Sequence, residues 1–251
     1  MKRLGEVPLG LGLGLVALLC AWMLAASLTG RGGAVLVPQP WQVAAQLGRD
    51  GWAFYGPNIW PTAGEALQGF LWGDGLAIAL AVLVLLWPAC ERVAVQLATV
   101  SSCIPLIALG PLLTAVLAGR APMVALSALS VFFTTLVGTL VGLRAAEPLS
   151  LELITVHGGG SWQRFRHVQL YASLPALFAS LSIAAPSALL GAILGEWLGS
   201  VENGLGVAMV IAMQQMSAAR LWGIVLVCGT LAGCGYAAIA LLGRLLTPWR
   251  V

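Results

Sequence analysis

Two acidic side chains stand inside long apolar stretches, where an isolated charge has a high energetic cost. Asp74 lies within GFLWGDGLAIAL and Glu196 lies within LLGAILGEWLGS. Ionisable residues inside a membrane often mark the route of a solute or an ion, whereas a polar anchor near the membrane surface is the plainer alternative. The sequence therefore makes Glu196 and Asp74 candidates for a translocation pathway.

The residues that enzymes use for hydrolysis or metal binding are not arranged for either chemistry. The only lysine is Lys2, so no GK[ST] phosphate-binding loop exists. His157 and His167 stand ten positions apart without an HExxH pattern, and the five cysteines form no CxxC pair. We therefore expect no enzymatic activity, no metal and no cofactor on this chain. If energy drives its function, a separate protein must supply that energy.

The composition is that of a membrane protein. Hydrophobic residues make up 60% and charged residues 8% of the chain, and the mean hydropathy is +0.96. A span needs about 20 apolar residues and must be helical, because lipid satisfies no backbone group. We predict an all-α membrane protein, a single domain over residues 1–251, with six spans near 9–29, 66–87, 93–117, 123–143, 175–198 and 221–242.

Glycine and proline predict how these spans pack and bend. Glycines four residues apart, which allow close helix packing, occur at 69 and 73, at 138 and 142, at 191, 195 and 199, and at 229 and 233. Pro105, Pro111 and Pro186 are expected to allow kinks. Four prolines between residues 30 and 65, accompanied by tryptophans, predict an irregular segment along the outer membrane interface.

The basic residues predict the orientation of the chain. With both termini inside, eight basic residues are cytoplasmic: Lys2, Arg3, Arg92, Arg144, Arg164, Arg166, Arg244 and Arg250. Only Arg31, Arg49, Arg120 and Arg220 are then outside. Cytoplasmic loops carry an excess of basic residues, so this N-in, C-in arrangement is favoured.

The polar interruption over residues 144–174 contains a predicted amphipathic helix. Pro148 suits a first helical turn, and Leu149, Leu153 and Val156 then fall on one face. The three glycines at 158–160 end this helix, because successive glycines favour a turn. A short apolar helix face on the cytoplasmic side is typical of a surface that docks something.

A second short helix follows the glycines. Ser161 is placed to cap it, while Trp162, Phe165 and Val168 repeat every three residues. Such helices either rest in the membrane interface or bind a cytosolic partner, and the spacing alone leaves both alternatives open.

The stretch ELITVHGGGSWQRFRHVQL resembles the cytoplasmic EAA loop of bacterial ATP-binding-cassette (ABC) importer permeases. Glu152 matches the acid of that pattern and Gly158 matches its glycine, with Phe165 and Leu170 as its later hydrophobic residues. The chain departs from the pattern at Leu153, Ile154 and Tyr171, where the family has two alanines and a proline.

Four further stretches are similar to the nitrate, sulfonate and taurine subfamily of these permeases. They are VLVPQPWQVAAQL, IWPTAGEALQGFLWG, IPLIALGPLL and AILGEWLGSVENGLG, and they occur in the family's order. The resemblance thus covers nearly the whole chain.

The resemblance implies a type I importer permease with six spans in the inner membrane, working as a homodimer. Two ATP-binding subunits, which carry ATP and magnesium, would dock on the loop, and a solute-binding protein would deliver the solute outside. The loop's coupling surface would consist of Glu152, Leu153, Val156, Gly158 and Phe165.

The solute implied by the subfamily is a small anion such as a sulfonate, taurine or nitrate, and the four outer arginines suit an anion. The alternative solute is a heterocycle like a thiamine precursor. The alternative function is an ion-coupled secondary transporter or channel without an ATPase partner, which would need ionisable residues near the membrane centre.

Overall fold

The computed structural model describes residues 6–29, 37–199 and 201–248, and these residues are almost entirely helical. They form the α-helices α1 (Glu6–Thr29), α2 (Pro40–Leu86), α3 (Glu91–Cys103), α4 (Leu106–Val116), α5 (Ala121–Arg144), α6 (Pro148–Val156), α7 (Ser161–Arg164), α8 (Leu170–Leu198), α9 (Leu205–Gln214) and α10 (Ala218–Leu246). A short 3-10 turn (Pro88–Cys90) precedes α3, and a π-helical turn (Phe165–Gln169) joins α7 to α8.

Four helical stretches in the described residues are long and apolar enough to cross a membrane: Pro40–Leu86, Ala121–Arg144, Ser161–Leu198 and Ala218–Leu246. Helices α3 and α4 form a pair bent by 95°, which becomes a fifth span if the pair is one broken crossing. The bend follows Ile104 and contains Pro105, where the sequence predicted a kink. The first predicted span, residues 9–29, coincides with α1, and the count of six spans remains a prediction.

The prediction of an irregular segment over residues 30–65 is wrong for residues 40–65, which are helical, while residues 30–36 lie outside the described residues. Helix α2 begins at Pro40 and continues through Pro57 and Pro61 to the end of the second predicted span. Its one non-helical residue is Gly51, with φ 56° and ψ −171°, a conformation that glycine adopts easily. Gly51 rather than a proline therefore bends this helix.

The chain divides into two compact units. The first comprises Met1–Pro57 and Ala208–Val227. In it, the guanidinium of Arg220 donates to both carboxylate oxygens of Asp50, at 3.0 and 2.7 Å, and lies over the ring of Phe54. Trp22 stacks on Trp222 with ring centroids 5.2 Å apart. These contacts hold α1 and the starts of α2 and α10 together.

The second unit comprises Asn58–Val207 and Cys228–Val251, and its core is built on glycine contacts. A Cβ atom on Gly69 or Gly73 would lie within 2.5 Å of α5 atoms, and one on Gly191 or Gly195 would lie within 2.7 Å of α5 atoms as well. Helix α5 therefore packs closely against both α2 and α8, as the glycine pairs predicted.

The last glycine pair behaves differently. A Cβ atom on Gly229 or Gly233 would meet nothing within 4 Å. Within the described part of this single chain the pair therefore faces no neighbouring helix, and its role in helix packing remains a prediction.

Candidate functional site

The predicted docking helix exists and its apolar face is uncovered. Helix α6 begins at Pro148 and ends at Val156, as the sequence indicated. Leu149 is 70%, Leu153 60% and Val156 83% exposed. Burying such side chains is favourable by about 1.5–3 kcal/mol each, so this face is suited to contact with a further surface.

The glycine bend after α6 needs two of its three glycines. Gly158 has φ +80°, which disfavours other residues, and its surroundings are open. A Cβ atom on Gly159 would lie 2.4 Å from the Ile154 side chain. The N–H of Gly159 donates to the carbonyl of Ile154 at 2.8 Å, which ends the helix tightly.

The prediction that Ser161 caps the second helix is wrong. Gly160 is the N-cap residue, and its N–H donates to Oε1 of Gln163 at 2.9 Å. The Ser161 hydroxyl instead accepts a hydrogen bond of 3.2 Å from Arg164. The glutamine three residues after the cap satisfies the helix end, so a serine cap is not needed.

Phe165 joins residues 148–164, which we call the docking segment after the predicted role of α6, to the membrane helices. Its side chain is only 8% exposed and packs in a hydrophobic cluster with Ala81, Val84, Leu140 and Leu143 from α2 and α5. Of the five predicted coupling residues, Glu152, Leu153, Val156 and Gly158 are exposed, and Phe165 lies beneath them in the core. Phe165 therefore packs this segment against α2 and α5.

Glu196 is buried and fully engaged by hydrogen bonds. Its Oε1 accepts from the Thr62 hydroxyl at 2.6 Å, and its Oε2 accepts from the N–H of Gly206 at 2.6 Å. The Thr62 oxygen accepts in turn from the N–H of Leu205 at 2.9 Å. The carboxylate therefore ties α2, α8 and the start of α9 into one assembly, which we call the Glu196 clamp.

The Glu196 clamp requires glycine on either side of Leu205. Gly204 has φ +154°, and a Cβ atom there would lie 2.2 Å from a carboxylate oxygen of Glu196. A Cβ atom on Gly206 would meet Glu196 atoms at 2.9 Å and the carbonyl of Ile193 at 2.6 Å. The Gly-Leu-Gly sequence lets the backbone approach the carboxylate closely.

Asp74 is also buried but only half satisfied. Its Oδ1 accepts from the Thr135 hydroxyl of α5 at 2.6 Å, while Oδ2 has no hydrogen-bond partner among the described residues. Asp74 and Glu196 thus form hydrogen bonds with different residues and do not form one site.

Beside the Glu196 clamp, sequence reasoning missed Glu65 and considered Arg120 only as one of the four outer arginines. Glu65 of α2 forms an ion pair with Arg120, and Arg120 also donates to the carbonyl of Asn203 at 2.9 Å. The carboxyl group of Glu65 lies next to that of Glu196. The local signal was weak, because Glu65 stands in a proline-rich stretch and Arg120 resembles an ordinary residue at the end of a span.

Comparison with known proteins places this arrangement in a family. Residues 75–250 match the family described as the binding-protein-dependent transport system inner membrane component. The chain is 29% identical over 234 residues to the formylaminopyrimidine transport permease protein ThiX of Halalkalibacterium halodurans, covering 93% of this chain and 92% of the relative. It is 28% identical over 250 residues to the riboflavin transport system permease protein RibX of Chloroflexus aurantiacus, covering 99% and 93%.

A solved structure shares the fold. The inward-facing MetNI methionine ABC transporter matches with a TM-score of 0.66 and 18% sequence identity, over 76% of this chain and 94% of that chain.

The chain belongs to the binding-protein-dependent transport system inner membrane component family. It is a multi-pass inner-membrane permease of the ABC importer class with a type I fold, and it is the transport subunit rather than the ATPase. The recognition made from the EAA-like loop is thereby confirmed at the level of the family.

Proposed function

We propose that this permease works as a homodimer that carries a flat nitrogen heterocycle inward, powered by two ATP-binding subunits docked on α6. The observation that carries the proposal is the exposed apolar face of α6, held between Pro148 and the Gly158 bend. A solute-binding protein delivers the solute at the opposite, outer side.

In this proposal each residue of the coupling surface has its own role. Leu153 and Val156 are buried by the ATPase subunit, and Glu152 forms a charge-assisted bond that orients it. Gly158 allows the loop to turn away from the contact. Phe165 transmits the displacement into the helices, so that ATP binding at one site biases which side of the bundle is open.

The choice of a heterocycle over a small anion rests on two observations. The names of both relatives refer to heterocyclic compounds, a formylaminopyrimidine and riboflavin. Moreover, Arg120 is paired with Glu65 and Arg220 with Asp50. Two of the four arginines expected to attract an anion therefore already have carboxylate partners, and Arg31 lies outside the described residues.

The Glu196 clamp takes a supporting role in this scheme. Glu196 holds the segment after α8 against α2, and Asp74 holds α2 against α5. Both acids then shape the wall of the translocation pathway by positioning its helices.

Co-purification tests the proposed assembly. Three forms of the permease are expressed in the cells that produce it naturally and are purified in detergent: the wild type, Gly158→Trp and Gly119→Trp. Proteins bound to each form are then identified by mass spectrometry. Gly119 is the matched control, because it also has positive φ (+63°) and open surroundings. We expect an ABC ATPase with the wild type and the control but not with Gly158→Trp. An ATPase absent from all three would contradict the proposal and favour ion-coupled transport.

A further inference from the structure

A groove between α2 and α5 has the size and the side chains of a ligand site. Its volume is about 600 Å³, within the range of small-molecule pockets. Glu65, Gln68 and Trp72 line it from α2, and Val124 and Ala128 line it from α5, with Arg120 at the end. We call it the α2–α5 groove.

One oxygen of the Glu65 carboxylate, in the wall of the α2–α5 groove, has no hydrogen-bond donor among the described residues. The Glu65 side chain is 3% exposed, and its Oε2 has no hydrogen-bond partner among the described residues. The adjacent carboxyl group of Glu196 can donate to Glu65 only when Glu196 carries a proton, and it has no hydrogen to donate when it is ionised. A buried carboxylate oxygen without a donor is unfavourable, so an N–H group placed here would be bound strongly.

The opposite end of the groove offers a flat surface. The Trp72 indole is 67% exposed, and the exposed Gln68 amide lies one helical turn before it. The facing side of α5 carries small residues, which leave room beside the indole. Aromatic side chains bind planar rings by stacking, and an amide both donates and accepts.

We infer that the α2–α5 groove binds the transported solute and selects a planar heterocycle bearing an N–H donor. Trp72 stacks on the ring, the carboxylate of Glu65 accepts from the ring's amino or imino group, and Gln68 bonds to a polar edge. Arg120 keeps the Glu65 carboxylate in place. This inference rests on the proposed function and adds to it the site and chemistry of selection.

The test uses the complete importer, with its ATP-binding subunits and binding protein, in proteoliposomes. Uptake of radiolabelled formylaminopyrimidine, riboflavin and taurine is measured for the wild type and for Trp72→Ala, Trp72→Phe and Trp60→Ala. Trp60 is the matched control, because it lies on the same helix, is 70% exposed and is outside the groove lining. ATP hydrolysis without solute is measured in parallel.

We expect heterocycle uptake to fall about tenfold with Trp72→Ala and to recover largely with Trp72→Phe, as expected for a stacking contact. Trp60→Ala should retain both wild-type uptake and wild-type basal ATP hydrolysis. Glu65→Gln, which replaces an acceptor by an amide, should lower heterocycle uptake.

Two results overturn the inference. If the wild type imports a heterocycle and Trp72→Ala matches Trp60→Ala, the groove is not the solute site, while the proposed function stands. If the wild type imports only taurine or none of the three probes, the proposal that the solute is a heterocycle is wrong as well. An importer that hydrolyses no ATP would instead contradict the proposed ATPase coupling itself.

Discussion

The hydroxyl of Thr62 donates a hydrogen bond of 2.6 Å to Oε1 of Glu196, a residue 134 positions later in the chain. Both side chains are 2% exposed or less. The bond joins the end of α8 to α2, and the same threonine oxygen accepts from the N–H of Leu205. One hydroxyl thus satisfies two buried groups.

Thr62→Val should destabilise the permease. The change leaves a carboxylate oxygen and a backbone N–H buried without this partner, which we expect to cost about 1–3 kcal/mol. Thermal unfolding in detergent measures the loss. Thr114→Val is the control, because that hydroxyl bonds only within its own helix turn. Equal midpoints for the two variants would show that the Glu196 clamp contributes nothing to stability.

Gly206→Ala should also lower the unfolding midpoint. The added methyl group would meet the Ile193 carbonyl at 2.6 Å and Glu196 atoms at 2.9 Å. Overpacking of this kind costs about 1–3 kcal/mol. Gly75→Ala, which meets nothing within 4 Å in the interior of α2, should be neutral or raise stability by about 0.4–1 kcal/mol. The prediction fails if Gly206→Ala and Gly75→Ala have the same unfolding midpoint.

Val156→Asp should remove the ATPase partner without unfolding the permease. The side chain is 83% exposed, so the fold tolerates a charge, whereas burial of that charge in an interface is unfavourable. Val116→Asp is the control, because Val116 is 82% exposed and lies at the other predicted side of the membrane. Titration of each permease variant with the purified ATPase subunit measures how tightly the two proteins bind. Undiminished binding by Val156→Asp would exclude α6 as the docking surface.

Phe165→Leu should weaken coupling while the ATPase still binds. The leucine leaves the exposed face of α6 intact but loosens the cluster through which the docking segment contacts α2 and α5. We expect normal ATPase binding and a lower ratio of solute imported to ATP hydrolysed. Phe133→Leu is the control, because it removes the same volume from an α5 side chain that packs at the edge of the same cluster. An unchanged ratio in Phe165→Leu would rule out Phe165 as the mechanical link.

Local patterns predicted the parts of this protein that depend on local physics. Apolar length indicated the spans, and Pro148 with the glycines at 158–160 marked the bounds of α6, because helix ends depend on neighbouring backbone groups. The same reasoning failed at Ser161, where Gln163 satisfies the helix end, and at Pro57 and Pro61, which α2 accommodates.

The sequence by itself determined the membrane-protein class, the short helix α6 and the resemblance to importer permeases, since hydropathy and motifs are properties of short segments. The tertiary structure decided which acid lines the α2–α5 groove and which acid is held in the Glu196 clamp. It also decided which glycine pairs face a neighbouring helix. These outcomes depend on the rotation and distance of helices far apart in the chain, and spacing along one helix contains no information about the side chains that another helix will present to it.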